Sequence, residues 1–265
     1  MSRPEIQEAL VRLDDLTRRL RAECPWDREQ DERSIVPHTV EEAYELADAA
    51  NAGDDAKLLD ELGDVLFQVH FLSLLMEERG AGDLAAVAEH CRQKLIRRHP
   101  HVFGDAEARD AAQVLRNWDA IKSGEPGRER GIFAEVPENL PGPLLARKVQ
   151  RRAASTGFDL EDVAGPLAAL HDSVERLDGL AADAGGGRED AFDAVGDVLF
   201  AAVNVARKLK VDPELALRSS AERFRDRVEA AAELAEQAGE RWEALAFDAQ
   251  LRFYATAVHS KETDT

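Results

Sequence analysis

The sequence predicts an all-α fold. Most apolar residues in the 265-residue chain recur with the helical period of about 3.6 residues, and alternating strand patterns are scarce. Proline and glycine residues separate these patterns, as in GAG at 80–82 and PENLPGP at 137–143. The chain also contains an internal repeat, because GDVLF occurs at 63–67 and again at 196–200.

The individual helices follow from the apolar period and from these interruptions. The segment 58–79, LLDELGDVLFQVHFLSLLMEER, has the length and period of a long helix with many apolar side chains available for a core. In chain order, the predicted helices are 4–22, 39–51, 57–79, 82–98, 107–122, 143–155, 166–183, 188–209, 212–238 and 240–258.

The repeat predicts two related four-helix units in tandem. Residues 1–105 form the first unit, 106–157 a helical connector and 158–265 the second unit. A single helical hairpin cannot cover its own apolar face, so we expect the units to pair with each other or with a second chain.

The charge of the chain limits the classes of binding partner, and its cysteine content indicates the cellular compartment. The net charge of -19 argues against a nucleic-acid backbone or an anionic membrane as the main partner, since both would be repelled. Cys24 and Cys91 form no disulfide framework, which fits a reducing cytoplasm. The N-terminal segment is too charged for a secretory signal, and no apolar run reaches transmembrane length.

Five acidic residues form two clusters with helical spacing. The five are Glu41, Glu42 and Glu45 in VEEAYELADAA, and Glu61 and Asp64 in DELGDVLFQV. Within each cluster the side chains share one helix face, and the second cluster, which has Gln68 one turn further on, interrupts a strongly apolar helix. If the two helices pack, the carboxylates converge in a partly desolvated space that needs a divalent ion. Oxygen ligands alone favour Mg²⁺ or Mn²⁺.

A lone EExxE in an acidic protein is better explained as the solvated face of a surface helix. The second acidic pair inside an apolar helix makes a metal site the stronger interpretation. The two copies of the repeat differ here, because the second has Asp172, Ser173 and Arg176 in place of the first cluster and Ala194 in place of Glu61. The second unit, in which Asp197 matches Asp64, therefore lacks the ligand set.

A basic cluster follows the acidic ones. Lys94, Arg97 and Arg98 share one helix face and could bind phosphate oxygens, although a salt-bridged surface helix is the alternative. Trp118, with Lys122 one turn further on, could stack on a base or close the site, and a core tryptophan is an equal alternative.

Several segments together closely resemble the MazG family of nucleoside triphosphate pyrophosphohydrolases. They are CPWDREQ at 24–30, VEEAYEL at 40–46, DELGDVLFQV at 60–69, KLIRRHPHVFG at 94–104, NWDAIK at 117–122 and KVQRRAASTGFD at 148–159. The resemblance extends over nearly the whole chain. It implies an all-α fold, Mg²⁺ dependence, an intertwined homodimer, and hydrolysis of NTPs or dNTPs to the monophosphate and pyrophosphate.

By position, the resemblance also implies roles for the residues. Glu42, Glu45, Glu61 and Asp64 would be the metal ligands, and Glu41 would hold or activate the attacking water. Lys94, Arg97 and Arg98 would face the triphosphate, and catalysis would belong to the first unit. Two alternatives remain open: a non-catalytic helical scaffold or cation-binding module, and a base-specific enzyme of the dUTPase or dCTPase type. The base preference and the choice between α- and β-phosphorus attack are also open.

Overall fold

Every regular element in the part of the chain that the structure describes is a helix, which confirms the all-α prediction. The computed structural model describes residues 2–110, 113–114, 117–118, 121, 131–134, 136–182 and 187–263. The helices are α1 (Arg3–Glu23), α2 (Pro25–Glu29), α3 (Glu32–Ala52), α4 (Asp55–Glu78), α5 (Leu84–Arg98), α6 (Pro100–Phe103), α7 (Gly142–Ser155), α8 (Ala164–Ala182), α9 (Arg188–Lys208), α10 (Pro213–Gln237) and α11 (Phe247–Thr263), with a short 3₁₀ helix at Trp242–Ala244.

The chain divides into two compact units, Met1–Arg130 and Gly131–Thr265, here called unit 1 and unit 2. In unit 1, α3 packs along α4, while α1 and α5 also contact α4. In unit 2, α8 packs along α9, α7 covers another side of α9, and α10 packs against α11. Each copy of the GDVLF segment therefore lies in the helix that forms the main pair of its unit.

Two predicted helix starts were wrong, and local hydrogen bonding explains both. We predicted a start at 39, after Pro37, but α3 begins at Glu32 because Asp31 caps it and accepts hydrogen bonds from two backbone N–H groups. Pro37 lies inside this helix, where it removes one backbone donor without ending it. The last helix begins at Phe247 rather than 240, since the 3₁₀ turn precedes it. Much of the predicted helix 107–122 lies outside the described residues.

The core of unit 1 lies between α3 and α4. Ile35, Phe71 and Leu75 are buried together, with Phe67 and Leu72 packed against them. A different side of α4 carries exposed apolar side chains, namely Leu59, Leu62, Leu66 and Val69. Among the described helices, none combines the length and apolar character needed to cross a membrane.

Candidate functional site

The predicted carboxylates lie where α3 packs against α4. Gly53 ends α3 in the left-handed region, at φ 71°, which residues with a side chain rarely adopt. Asp54 follows at once and caps α4, so the chain reverses in a very short turn. The shared core at Ile35 and Phe71 then holds the two helices together. Local capping and core packing thus bring two acidic clusters to one junction.

Three of the predicted ligands meet at this junction. One carboxylate oxygen from each of Glu42, Glu45 and Glu61 lies within 4.8 Å of those of the other two. Glu45 is exposed, Glu42 is half-buried and Glu61 is buried, so solvent reaches some of the three carboxylates and not others. Within the described residues, this is the one group of three or more His, Cys, Asp or Glu side chains with such spacing.

The electrostatics of the cluster are unfavourable without a cation. Glu61 is 6% exposed, and its Oε2 has no hydrogen-bond partner among the described residues. Burial raises the pKa of Glu61, as do the charges of Glu45 and Asp64, whereas Lys57 lowers it. The pKa of Glu42 is also raised, first by burial and then by the neighbouring carboxylates. Buried like charges of this kind need a compensating positive charge.

Asp64 and Glu41 lie at the margin of the cluster. Asp64 is exposed and stands outside the group of three, yet its charge raises the pKa of both Glu42 and Glu61. The carboxylate of Glu41 is also exposed, and a hydrogen bond of 3.2 Å joins its Oε2 to His38 Nδ1. The structure therefore brings three of the five carboxylates into direct proximity and leaves two around them.

Sequence analysis missed two residues beside the cluster, His38 and Thr39. The Oγ1 of Thr39 donates to Oε1 of the buried Gln68 at 3.4 Å and so connects α3 with α4. His38 was missed because the predicted helix started after Pro37. Extending the helical period back to the Asp31 cap would have placed His38 one turn before Glu41.

The basic cluster occupies the last turns of α5. Lys94 is half-buried, Arg97 is exposed and Arg98 is 8% exposed. The Arg98 guanidinium carbon lies 5.1 Å from the centre of the Trp118 ring, a cation–π contact that joins the predicted base-stacking residue to this cluster. Lys122 lies outside the described residues. α5 packs against α4, the helix that carries Glu61.

The corresponding place in unit 2 holds an ion pair. Arg176, which matches Glu45 in the repeat, donates a hydrogen bond from its guanidinium to the carboxylate of Asp197, which matches Asp64. Ala194 replaces Glu61 and is buried, and Ser173 replaces Glu42 and donates to the backbone oxygen of Ala169 at 2.9 Å. A side-chain cation therefore compensates Asp197.

Comparison with protein families identifies the region that contains this site. A family model of the MazG nucleotide pyrophosphohydrolase domain matches residues 30–103. The matched region includes α3, α4 and α5 in full, and so contains both the carboxylates and the basic cluster.

The chain is also similar to curated proteins over most of its length. It is 36% identical to the nucleoside triphosphate pyrophosphohydrolase of Escherichia coli, over 77% of this chain and 78% of the relative. It is 36% identical to the nucleoside triphosphate pyrophosphohydrolase/pyrophosphatase MazG of Thermotoga maritima, over 91% of both chains. With the nucleoside triphosphate pyrophosphohydrolase of Mycobacterium tuberculosis, identity is 34% over 60% of this chain and 49% of the relative.

Proposed function

Because the chain belongs to the MazG nucleotide pyrophosphohydrolase family, we propose that its unit 1 hydrolyses nucleoside triphosphates to the monophosphate and pyrophosphate. The observation that carries this proposal is the convergence of Glu42, Glu45 and Glu61 around a buried, unpartnered carboxylate oxygen. The names of the relatives from E. coli and T. maritima support the same substrate class.

The side chains of the cluster fit a divalent metal ion. They offer carboxylate oxygens only, the donor type that Mg²⁺ and Mn²⁺ prefer, and Glu61 Oε2 lacks the partner that such an ion would provide. Glu42, Glu45 and Glu61 would hold the ion, and Asp64 would complete the set. When bound, Mg²⁺ compensates phosphate charge and lowers the pKa of bound water.

Glu41 is the group of the chain that would accept the proton of the attacking water. It lies in α3 directly before Glu42, and its carboxylate is exposed, so water has access to it. The hydrogen bond with His38 restrains the carboxylate at the position from which it acts. Attack at the α- or the β-phosphorus gives the same two products, and isotopically labelled water distinguishes them by the product that carries the label.

The basic cluster would bind the triphosphate. In a chain of net charge -19, a polyphosphate needs a local group of cations, and Lys94, Arg97 and Arg98 form one on α5. The Arg98 guanidinium lies over the ring of Trp118, and we propose that this ring, held beside the basic cluster, stacks on the base of the substrate. Lys122, four residues further along the sequence, would add a further cation.

A second copy of the chain would cover the exposed face of α4. Leu59 is 74% exposed and Leu62 is 49% exposed, and with Leu66 they form a continuous apolar stripe at helical spacing. Stripes of this kind are unfavourable in water and mark surfaces of association. We therefore propose that the protein is a homodimer, with unit 2 as a non-catalytic structural partner in each chain.

Pyrophosphate release from a panel of nucleotides tests the function. The panel contains the common NTPs and dNTPs, including dUTP and dCTP, and oxidised guanine nucleotides, each with and without Mg²⁺. We expect metal-dependent release by the parent protein, none by Asp64→Asn, and parental rates from Asp55→Asn, which removes a carboxylate from the first turn of the same helix. Absence of release from every nucleotide with Mg²⁺ and with Mn²⁺ would contradict the proposal and favour a non-catalytic module.

A further inference from the structure

Gln68 is a buried polar residue to which the proposed reaction gives no role. It lies on α4, four residues after Asp64 and seven after Glu61, so the three side chains share one face of the helix. Gln68 is 5% exposed. Burying an amide costs free energy unless its groups are hydrogen-bonded, so the hydrogen-bond partners of this side chain indicate its role.

One end of the Gln68 amide is fixed by α3. Its Oε1 accepts a hydrogen bond from Thr39 Oγ1 at 3.4 Å, and Thr39 lies three residues before Glu42. With the oxygen bonded to Thr39, the Nε2 group has two N–H donors, and neither donates to a described residue. This nitrogen is not one of the fully enclosed unpaired atoms, which include Glu61 Oε2. The amide therefore has donors available for a neighbouring group.

The carboxylate of Asp64 is the neighbouring acceptor. It is exposed and accepts no hydrogen bond from any described residue. Long side chains on a helix extend back over the preceding turn. Residues four apart have Cβ atoms about 5–6 Å apart, a spacing at which Gln and Asp side chains form hydrogen bonds. A rotation of the exposed Asp64 side chain is therefore enough to join its carboxylate to the Gln68 amide.

The second copy of the repeat distinguishes a role in the site from a role in packing. There Leu170 and Ala201 stand in place of the two hydrogen-bonding residues, and both are half-buried. The helix pair α8 and α9 still packs along its length, as α3 and α4 do. Packing of the pair therefore does not require this hydrogen bond. The Thr and Gln side chains occur in the unit that has the carboxylate set and are replaced in the unit that has lost it.

We propose that Gln68 is a positioning residue, whose amide N–H groups hold the Asp64 carboxylate in the orientation that completes the metal site, while Thr39 fixes the amide. The inference rests on the proposed role of the cluster as a metal site. It accounts for the way in which Asp64, which lies outside the group of three carboxylates, joins them. Loss of a hydrogen bond to a metal-ligating side chain typically costs about 10- to 100-fold in metal affinity.

Binding of Mn²⁺ to the nucleotide-free protein, measured by electron paramagnetic resonance, tests this role. We expect Gln68→Leu, which keeps the size of the side chain but removes the donors, to weaken binding about 10-fold. Thr39→Val should also weaken it, whereas Thr39→Ser, which keeps the hydroxyl, should bind as the parent does. Ser73→Ala is the matched control and should bind as the parent does, because Ser73 is also buried on α4 but donates within its own helix, to the backbone oxygen of Val69.

Two comparisons show whether Gln68 acts through Asp64. The loss of affinity in Gln68→Leu should not exceed that in Asp64→Asn, and the double variant should bind no more weakly than Asp64→Asn alone. Because the defect is in metal binding, the turnover of Gln68→Leu should recover at saturating Mg²⁺ with an unchanged KM for the nucleotide. A residue that contacted the substrate would instead raise the KM under these conditions.

Parental Mn²⁺ affinity in Gln68→Leu or in Thr39→Val overturns the proposal, as does a further loss of affinity in the double variant. It is also overturned if the parent protein binds no Mn²⁺ at millimolar concentration. A parent protein that binds Mn²⁺ and responds to these variants as expected, but releases no pyrophosphate from any nucleotide, contradicts the proposed function alone.

Discussion

At the residue scale, Glu61 is the residue whose proposed role as a metal ligand is most costly to the stability of the metal-free fold. Its carboxylate is buried, one oxygen is unpaired, and burial and neighbouring charges raise its pKa above the ordinary value of 4.5. A carboxylate with a raised pKa contributes less stability as the pH rises through that pKa, because ionisation is then opposed in the folded state. Such a residue lowers the stability of the metal-free protein, which fits the role of metal ligand proposed for Glu61.

Neutral isosteres at the cluster should therefore abolish turnover without unfolding the protein. We expect Glu61→Gln and Glu45→Gln to release no pyrophosphate, and metal-free Glu61→Gln to unfold at the same or a higher temperature than the parent. Mg²⁺ should raise the unfolding temperature of the parent and of the control Asp55→Asn, but not that of the two variants. Thermal unfolding with and without Mg²⁺ measures this, and parental turnover in either variant at saturating Mg²⁺ would rule out its role as a ligand.

At the scale of elements, ion pairs attach the segments between helices to the helices themselves. Asp159 lies just after α7 and binds Arg207 and Lys208 at the end of α9. Its carboxylate is about a third exposed, so solvent weakens the pair without removing it. The pKa of Asp159 is lowered from 3.8 to about 2, first by its hydrogen bonds with Arg207. This pairing attaches the segment after α7 to the end of α9.

The pH dependence of this pairing has a definite sign. Because the folded pKa lies below the unfolded value, the stability contribution is present in full well above pH 3.8 and is lost as the pH falls through about 2. Asp159→Asn should lower the free energy of unfolding by about 1–2 kcal/mol at neutral pH, and by progressively less as the pH falls through about 2. Urea unfolding curves at several pH values, followed by the fluorescence of Trp242 in unit 2, measure this free energy. Glu161→Gln is the control, because it removes a nearby exposed carboxylate. An equal loss at all pH values would exclude the ionic explanation.

At the scale of the whole molecule, the two units repeat an exposed surface as well as a sequence. Leu59, Leu62 and Leu66 on α4 are exposed, and so are their repeat counterparts on α9, which are Phe192, Val195 and Leu199. Both stripes have the i, i+3, i+7 spacing of one helix face. The physical reason for association is thus present in both halves of the chain.

Sedimentation tests the proposed dimer. The parent protein should be a dimer at micromolar concentration, and Leu62→Asp should weaken association because it places a charge in the apolar stripe while leaving the buried core intact. Circular dichroism should remain helical in this variant. Leu217→Asp, at an exposed apolar position on α10, is the matched control and should leave the dimer unchanged. A parent protein that sediments as a monomer would refute the proposal.

The two repeat aspartates test which unit is catalytic. Asp64 adjoins Glu42 and Glu61, whereas Asp197 is bonded to Arg176, whose charge opposes binding of a second cation. Asp64→Ala should remove essentially all pyrophosphate release, and Asp197→Ala should leave the rate within a few-fold of the parent. An inactive Asp197→Ala together with an active Asp64→Ala would reverse the assignment of the catalytic half.

The sequence by itself determined those features that depend on residues close together along the chain. The all-α fold follows from the helical period, and the acidic residues could be assigned to common helix faces because residues three and four apart lie on one side of a helix. The loss of carboxylates in the second copy was visible from the repeat alone, since Ala194 and Arg176 stand where Glu61 and Glu45 stand in the first.

The tertiary structure decided those features that depend on contacts between different helices. α4 is apolar on more than one side, so only the packing of α3 determines that Phe71 is buried while Leu62 is exposed. The same packing brings Glu61 to Glu42 and Glu45 and leaves Asp64 at the margin, a distinction that spacing along one helix cannot make. The Arg176–Asp197 and Asp159–Arg207 pairs likewise join side chains far apart in sequence, whose contacts are fixed only when the helices pack.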